Sequence, residues 1–128
     1  MNFKTFEDIE AWQKGRLVVK EIYSITKTEN ISKDYALCNQ MRRAAISIIS
    51  NIAEGFDRDG NKEFIQFLSI AKGSCSELLA QCIVAHDIGY INEDVLKDLR
   101  KELVAVNNLV GGLMVYLKKS GIKGKKFQ

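Results

Sequence analysis

The stretch "LKDLRKELVAVNNLVGGLMVYL", residues 96–117, decides the fold because its apolar residues recur in alternating steps of three and four. Residues at that interval return to the same side of an α-helix, and three heptads of them build a continuous apolar seam. The seam predicts one long helix that packs lengthwise against other helices. Its members are Leu96, Leu99, Leu103, Val106, Val110, Leu113 and Leu117.

Three more helices are predicted before this one. The first begins near Thr5, where Asp8 three residues later completes an approximate capping box. The second begins at about Lys33, Asn61 is the expected cap of the third, and Asn92 is the expected cap of the fourth. The chain contains no proline, so nothing in it breaks these helices. We therefore predict an all-α, antiparallel, up-down-up-down four-helix bundle.

Glycines mark the ends and the contact points of the predicted helices. Gly89 is expected to end the third helix, since glycine readily adopts the left-handed conformation that is common at helix C-termini. Gly73, Gly111 and Gly112 fall inside helical repeats, where glycine costs about 1 kcal/mol relative to alanine. We expect these three glycines to let neighbouring helices approach closely.

The composition fits a single soluble domain. With 128 residues, 46% of them hydrophobic and 27% charged, the chain can bury a core without metals or disulfides. Residues 1–120 are expected to form the bundle and residues 121–128 a basic C-terminal tail. We expect neither a secretory signal peptide nor a membrane-spanning segment, which needs about 18 apolar residues. Three unclustered cysteines, Cys38, Cys75 and Cys82, suit a reducing compartment, so a cytoplasmic protein is predicted.

Positive charge is concentrated at the C-terminus. Residues 1–117 contain 14 Lys or Arg against 16 Asp or Glu, a formal charge of −2, whereas residues 118–128 carry +5. A short basic tail can attract phosphate groups without sequence selectivity, which favours RNA or DNA as a partner. The predicted nucleic-acid-binding residues are Lys118, Lys119, Lys123, Lys125 and Lys126.

Side chains for catalysis or metal binding are scarce. A dinuclear metal site in a helical bundle needs Glu-x-x-His pairs, but Ile83 stands three residues before the single histidine, His86. Cys75 and Cys82 lie seven residues apart, a spacing that is typical of small core residues and not of zinc ligands. We therefore predict no catalytic residue, no metal, no cofactor and no enzymatic activity.

Polar residues form a stripe along each of the second and third helices, away from most of the apolar residues. Three interpretations remain open: a solvated surface, an intramolecular network of the Arg43–Glu77 type, or a contact between subunits. Arginine suits either contact because its planar fork matches a carboxylate. The stripes comprise Gln40, Arg43, Ser47, Ser50, Asn51, Glu54 and Arg58 on the second helix, and Glu63, Gln66, Gly73, Ser74, Glu77 and Gln81 on the third.

Two long motifs, "RRAAISIISNIAEG" (42–55) and "FIQFLSIAKGSCSEL" (64–78), make the chain resemble a known family. It is similar to the four-helix-bundle proteins encoded in intervening sequences of bacterial 23S ribosomal RNA genes. The resemblance implies ring-shaped homo-oligomers, typically pentamers, and it extends to the accessory protein of diversity-generating retroelements, which binds a reverse transcriptase and nucleic acid. The motif positions that it marks as structural or interface residues are Gln40, Arg43, Ser47, Asn51, Glu54, Gly55, Gly73, Ser74 and Glu77.

Together these features predict a non-enzymatic, homo-oligomeric accessory factor that binds RNA or another nucleic acid through its tail. The alternative is a protein-interaction scaffold, for example a reverse-transcriptase accessory protein, that does not recognise nucleic acid directly. No membrane partner is expected. Salt-sensitive retention of RNA distinguishes the first function from the second.

Overall fold

The computed structural model describes residues 2–120, which fold into four α-helices joined by short turns. The helices are α1 (Glu10–Thr26), α2 (Tyr35–Phe56), α3 (Asn61–Ile88) and α4 (Glu93–Ser120), and a 3-10 turn (Phe6–Asp8) precedes them. No strand occurs among the residues described. The predicted all-α class and four-helix bundle are confirmed.

Side-chain hydrogen bonds tie the helices together at both ends of the bundle. The Asn61 amide, at the start of α3, donates to the carbonyl oxygen of Leu117 in the last turn of α4 at 3.1 Å. At the opposite end, the Tyr90 hydroxyl, which follows α3, donates to the Asp34 carboxylate before α2 at 2.9 Å. Each helix packs against the next, and α1 also packs against α4, so that the four helices enclose one core.

The core consists of the apolar faces that the helical repeats predict. All seven seam residues of α4 are buried, and the most exposed of them, Leu96, is only 6% accessible. Each such side chain contributes about 1.5 to 3 kcal/mol when it leaves water. Of the helices described, only α3 has the length and hydropathy of a membrane span. Because α3 packs against both α2 and α4, a core position accounts for the same composition.

The first two helices begin later than predicted. The capping box of Thr5 and Asp8 is present, but it caps the 3-10 turn. The backbone is extended at Ile9, so α1 starts only at Glu10. Similarly, α2 starts after Asp34, whose carboxylate accepts the backbone N–H of a residue in the first turn. The capping box of Thr5 and Asp8 was predicted correctly, whereas the element that it caps was not.

The ends of the last two helices are set by two glycines and one asparagine. Gly60, with φ 91°, precedes α3, so the prediction that Asn61 caps this helix is wrong. Gly89, with φ 97°, ends α3 as predicted. The side chain of Asn92 accepts the backbone N–H of Val95 at 2.9 Å, which confirms the predicted cap of α4.

Close helix packing is allowed by Gly15 of α1, where a Cβ atom would lie 2.8 Å from Ile49 of α2, and by Gly55, not by the three glycines that were predicted. A Cβ atom at Gly55 would lie 2.7 Å from Cβ of Phe67, so α2 can meet α3 here only without a side chain. Nothing lies within 4 Å of such an atom at Gly73 or Gly112, and at Gly111 only the flexible end of one lysine does. The three predicted glycines therefore do not provide close contacts.

Candidate nucleic-acid interface

The polar stripes of α2 and α3 meet through two serines. The hydroxyls of Ser47 and Ser74 lie 2.8 Å apart and form a hydrogen bond between the helices. Asn51, one turn further along α2, donates to the Ser47 carbonyl oxygen at 2.8 Å and lies 3.0 Å from the Ser47 hydroxyl. Ser74 is 7% accessible, and a buried hydroxyl without a partner would cost about 1 to 3 kcal/mol. This part of the motif is an intramolecular contact.

The charged residues of the same stripes are exposed, and among residues 2–120 no ion pair joins them across the helices. Arg43, Glu54 and Glu77 lie at the surface, as does Gln40. Among residues 2–120, no ion pair links Arg43 to Glu77, so the intramolecular network of this type is not formed. Glu54 pairs at 3.3 Å with Arg58, which was predicted on the second helix but lies two residues beyond the end of α2. These charges are accessible to solvent or to a partner.

Two of the five predicted tail lysines fall within the structure. Lys118 and Lys119 are exposed in the last turn of α4, where the helix dipole favours positive charge. Lys123, Lys125 and Lys126 lie outside the described residues. A role of the tail in nucleic-acid binding stays a prediction from charge.

A second basic surface, which the sequence analysis did not identify, runs along α1. Arg16, Lys20 and Lys27 are exposed, and their spacing of four and seven residues places them on one side of the helix. Both acidic residues of α1, Glu10 and Glu21, instead line grooves between α1 and α4. The outward side of α1 is therefore positive and free of its carboxylates.

Arg42 of α2 extends this surface across the contact between the two helices. Its Nε atom donates to the Thr26 hydroxyl at 2.9 Å, and its Cζ atom lies 4.8 Å from the centre of the Tyr23 ring. Both partners belong to α1, so the guanidinium is fixed at the outer junction of α1 and α2. A cation above an aromatic ring adds about 0.5 to 1 kcal/mol at an exposed site.

An open cavity lies within this surface where α1 meets α2. The arginine groove is an open cavity of about 530 Å³ that is lined by Tyr23, Asn39, Arg42, Arg43 and Ile46. Arg42 and Arg43 on its walls, together with Arg16, Lys20 and Lys27 along α1 and at its C-terminal end, supply the positive charge of this surface.

On the other side of α1, a groove of about 420 Å³ contains a pair of carboxyl groups. A hydrogen bond with Glu102 of α4, together with burial, raises the pKa of Glu21 to about 7. Oε2 of Glu102 is shielded from solvent, and no N–H group of residues 2–120 donates to it. The protonated carboxyl group of Glu21 can therefore donate the missing hydrogen bond to this oxygen. Lys14, Asp98 and Lys101 also line this groove.

The remaining reactive side chains make structural contacts. Nε2 of His86 lies 3.0 Å from a carboxylate oxygen of Glu93 and so joins the end of α3 to the start of α4. Burial raises the pKa of the Cys75 thiol to about 11 and that of Cys82 to about 12, which keeps both thiols protonated at neutral pH. Within residues 2–120, no three His, Cys, Asp or Glu side chains are placed to hold a metal ion.

A comparison with known protein families identifies the family of this chain. A family model described as 23S rRNA-intervening sequence protein matches residues 7–112. The chain belongs to this family. A protein of unknown function from the S23 ribosomal protein family of Bacteroides thetaiotaomicron has a similar structure, with a TM-score of 0.74 and 20% identity over 81% of this chain and 97% of that one. That identity shows the fold alone. A comparison with curated proteins gives no match.

In this 23S rRNA-intervening sequence protein, the matched range contains both the arginine groove and the Ser47–Ser74 contact. The role of Arg42 could not be found in its own motif, because it depends on partners on another helix. The sequence of α1 nevertheless contained part of the evidence for this basic surface. Tyr23 falls on the same side as the three exposed cations, an arrangement of aromatic and basic residues that suits a nucleic-acid surface.

Proposed function

We propose that this 23S rRNA-intervening sequence protein is a non-enzymatic, RNA-binding accessory factor of the cytoplasm. The segregation of charge on α1 carries the proposal, since Arg16, Lys20 and Lys27 face outward while the carboxylates of the helix lie toward α4. Repeated positive charge attracts the phosphate backbone of any sequence and releases its counterions. The family's description refers to 23S rRNA, which favours RNA over other polyanions. The lysines of the C-terminal tail would add to the same attraction.

We further infer that the bundle is antiparallel and assembles into a ring-shaped homo-oligomer of five subunits. The contacts between helix starts and helix ends, such as that of Asn61 with Leu117, support the antiparallel arrangement. Ile70, Val84 and Ile88 support self-association, because they are 44% to 55% accessible and lie on one side of α3. A ring would multiply weak phosphate contacts through effective concentration. Light scattering counts the subunits, and a stable monomer would overturn the ring.

Fluorescence anisotropy with a labelled single-stranded RNA, measured from about 50 to about 200 mM salt, tests the RNA-binding proposal. The variant combines Arg16→Gln, Lys20→Gln and Lys27→Gln. We expect its affinity at low salt to fall at least tenfold, and the slope of log affinity against log salt to become shallower by about 2, because three phosphate contacts with a single strand are removed.

The matched control combines Lys14→Gln, Lys97→Gln and Lys101→Gln, which changes the net charge equally. Lys14 and Lys101 line the groove between α1 and α4, and Lys97 is exposed on α4. We expect the control to retain most of the affinity. Equal losses in the two variants would show that only net charge matters and would overturn the assignment to α1. Removal of residues 119–128 tests whether the C-terminal tail contributes to RNA binding. Unchanged RNA affinity at low salt would exclude that contribution.

The apolar side of α3 also favours one alternative function, a protein-interaction scaffold such as a reverse-transcriptase accessory protein without direct nucleic-acid recognition. In that case Ile70, Val84 and Ile88 would contact the partner protein. The alternative predicts no salt-sensitive RNA binding by the wild-type protein. The same anisotropy measurement therefore decides between the two functions.

A further inference from the structure

Arg42 is held in place before any ligand binds. Its Nε atom donates to the Thr26 hydroxyl at 2.9 Å, and the Tyr23 ring lies beside the guanidinium at 4.8 Å. Thr26 is itself fixed, because it is buried and its hydroxyl donates to the carbonyl oxygen of Ile22 at 2.7 Å. A free arginine loses rotamer entropy when it binds a ligand, but the fold has already ordered this one.

Within residues 2–120, no group accepts a hydrogen bond from the two outer nitrogens of Arg42. Thr26 occupies only Nε, which leaves the N–H groups of Nη1 and Nη2. No carboxylate pairs with Arg42 or Arg43 in the part of the chain that the structure describes. Asn39 adds a side-chain amide to the lining of the same groove. Several N–H donors and two positive charges around one open cavity match the oxygens of a phosphate group.

We propose that the arginine groove is a phosphate-binding site that receives one backbone phosphate of an RNA strand between Arg42 and Arg43. The inference rests on the proposed function and adds the point at which the strand is anchored. A free nucleotide offers the same chemistry, but the surroundings favour a polymer. Arg16, Lys20 and Lys27 extend over about 16 Å along α1, and Tyr23 of the groove lies on their side of the helix. A line of charges suits a chain of phosphates.

Arg42→Lys tests the site because lysine keeps the charge but has neither the planar fork nor the bond from Nε to Thr26. We expect RNA affinity to fall about tenfold at every salt concentration, with an unchanged salt slope, because the number of neutralised phosphates stays the same. Arg100→Lys, at an exposed position of α4, is the matched control and should bind like the wild type. If Arg42→Lys also binds like the wild type, the site is overturned while the proposed function stands.

The NMR signals of the Arg42 guanidinium N–H groups report occupancy of the groove. Titrations with inorganic phosphate, uridine monophosphate and a ten-nucleotide single-stranded RNA separate the sources of phosphate. Saturation by RNA at a far lower concentration than by the monophosphate supports the proposal. Saturation by uridine monophosphate without RNA binding would overturn the RNA assignment together with the proposed function. If no ligand shifts these signals, or if Arg42→Lys instead dissociates the oligomer, the phosphate site is overturned.

Discussion

The carboxyl pair of Glu21 and Glu102 makes the stability of the bundle depend on pH near neutrality. In the folded protein the pKa of Glu21 is raised from 4.5 to about 7, first by its hydrogen bond with Glu102 and then by burial. Between these two pH values the folded state keeps a proton that the unfolded state has released. The stabilisation is therefore complete below pH 4.5, declines as the pH rises, and is lost above about pH 7.

The size of the effect follows from the shift. Each pKa unit is worth about 1.4 kcal/mol, which sets an upper limit of about 3 kcal/mol for the whole window. The groove is open to solvent, which screens the interaction between the two carboxyl groups, so we expect about 1 to 2 kcal/mol. Glu21→Gln removes the titration and keeps a neutral hydrogen-bond donor. At pH 8 this variant should be more stable than the wild type by that amount, and at pH 4.5 the two should be equal.

Urea unfolding from pH 4.5 to pH 8.5, followed by circular dichroism at one protein concentration, measures this difference. Concentration must be fixed because any self-association, as proposed above, would also stabilise the folded state. Glu29→Gln, which removes an exposed carboxylate outside the groove, controls for the change in net charge. A difference between Glu21→Gln and the wild type that stays constant with pH, or that is largest in acid, would refute the shared proton.

Three further predictions concern packing and are measured by the same unfolding assay. Gly55→Ala should destabilise the protein by about 2 kcal/mol because the new Cβ atom meets α3, whereas Gly112→Ala, in open space, should be neutral or slightly stabilising; similar effects of both would contradict the close contact. Ser47→Ala and Ser74→Ala should each cost about 1 kcal/mol, and the double variant should cost less than their sum; strict additivity would show that the hydroxyls are not coupled. Leu103→Ala should cost about 3 kcal/mol through the cavity it leaves, and a loss below 1 kcal/mol would place Leu103 outside the core.

Much of the fold could be predicted because it depends on properties that repeat along the chain. The seam of α4 is buried in full, since residues spaced by three and four necessarily share one side of a helix. The helix stop at Gly89 and the cap at Asn92 were also predictable, because both depend on chemistry within a few residues. The 23S rRNA-intervening sequence family was recognisable from the two motifs of α2 and α3.

The missed features depend on contacts between residues that are distant in sequence. Asn61 has the chemistry of a helix cap, but Gly60 takes the cap position and Asn61 is already the first residue of α3, where its side-chain N–H group donates to the carbonyl oxygen of Leu117. Gly55 could not be told apart from Gly73 without knowing which side of each helix meets a neighbour. The site around Arg42 is built from side chains of α1 as well as α2, and its closest hydrogen-bonding partner lies 16 residues away. Periodicity identifies a buried face but does not identify the helix that covers it.

The three buried thiols offer a way to measure how often parts of the bundle open. Sγ of Cys38 donates to the Ile31 carbonyl oxygen at 3.2 Å in the region between α1 and α2, while Cys75 and Cys82 lie along α3. An alkylating reagent modifies such a thiol only after local opening exposes it and allows it to ionise. The alkylation rates of the three cysteines therefore compare the opening frequency of the α1–α2 connection with that of the central helix, in a protein that carries no introduced label.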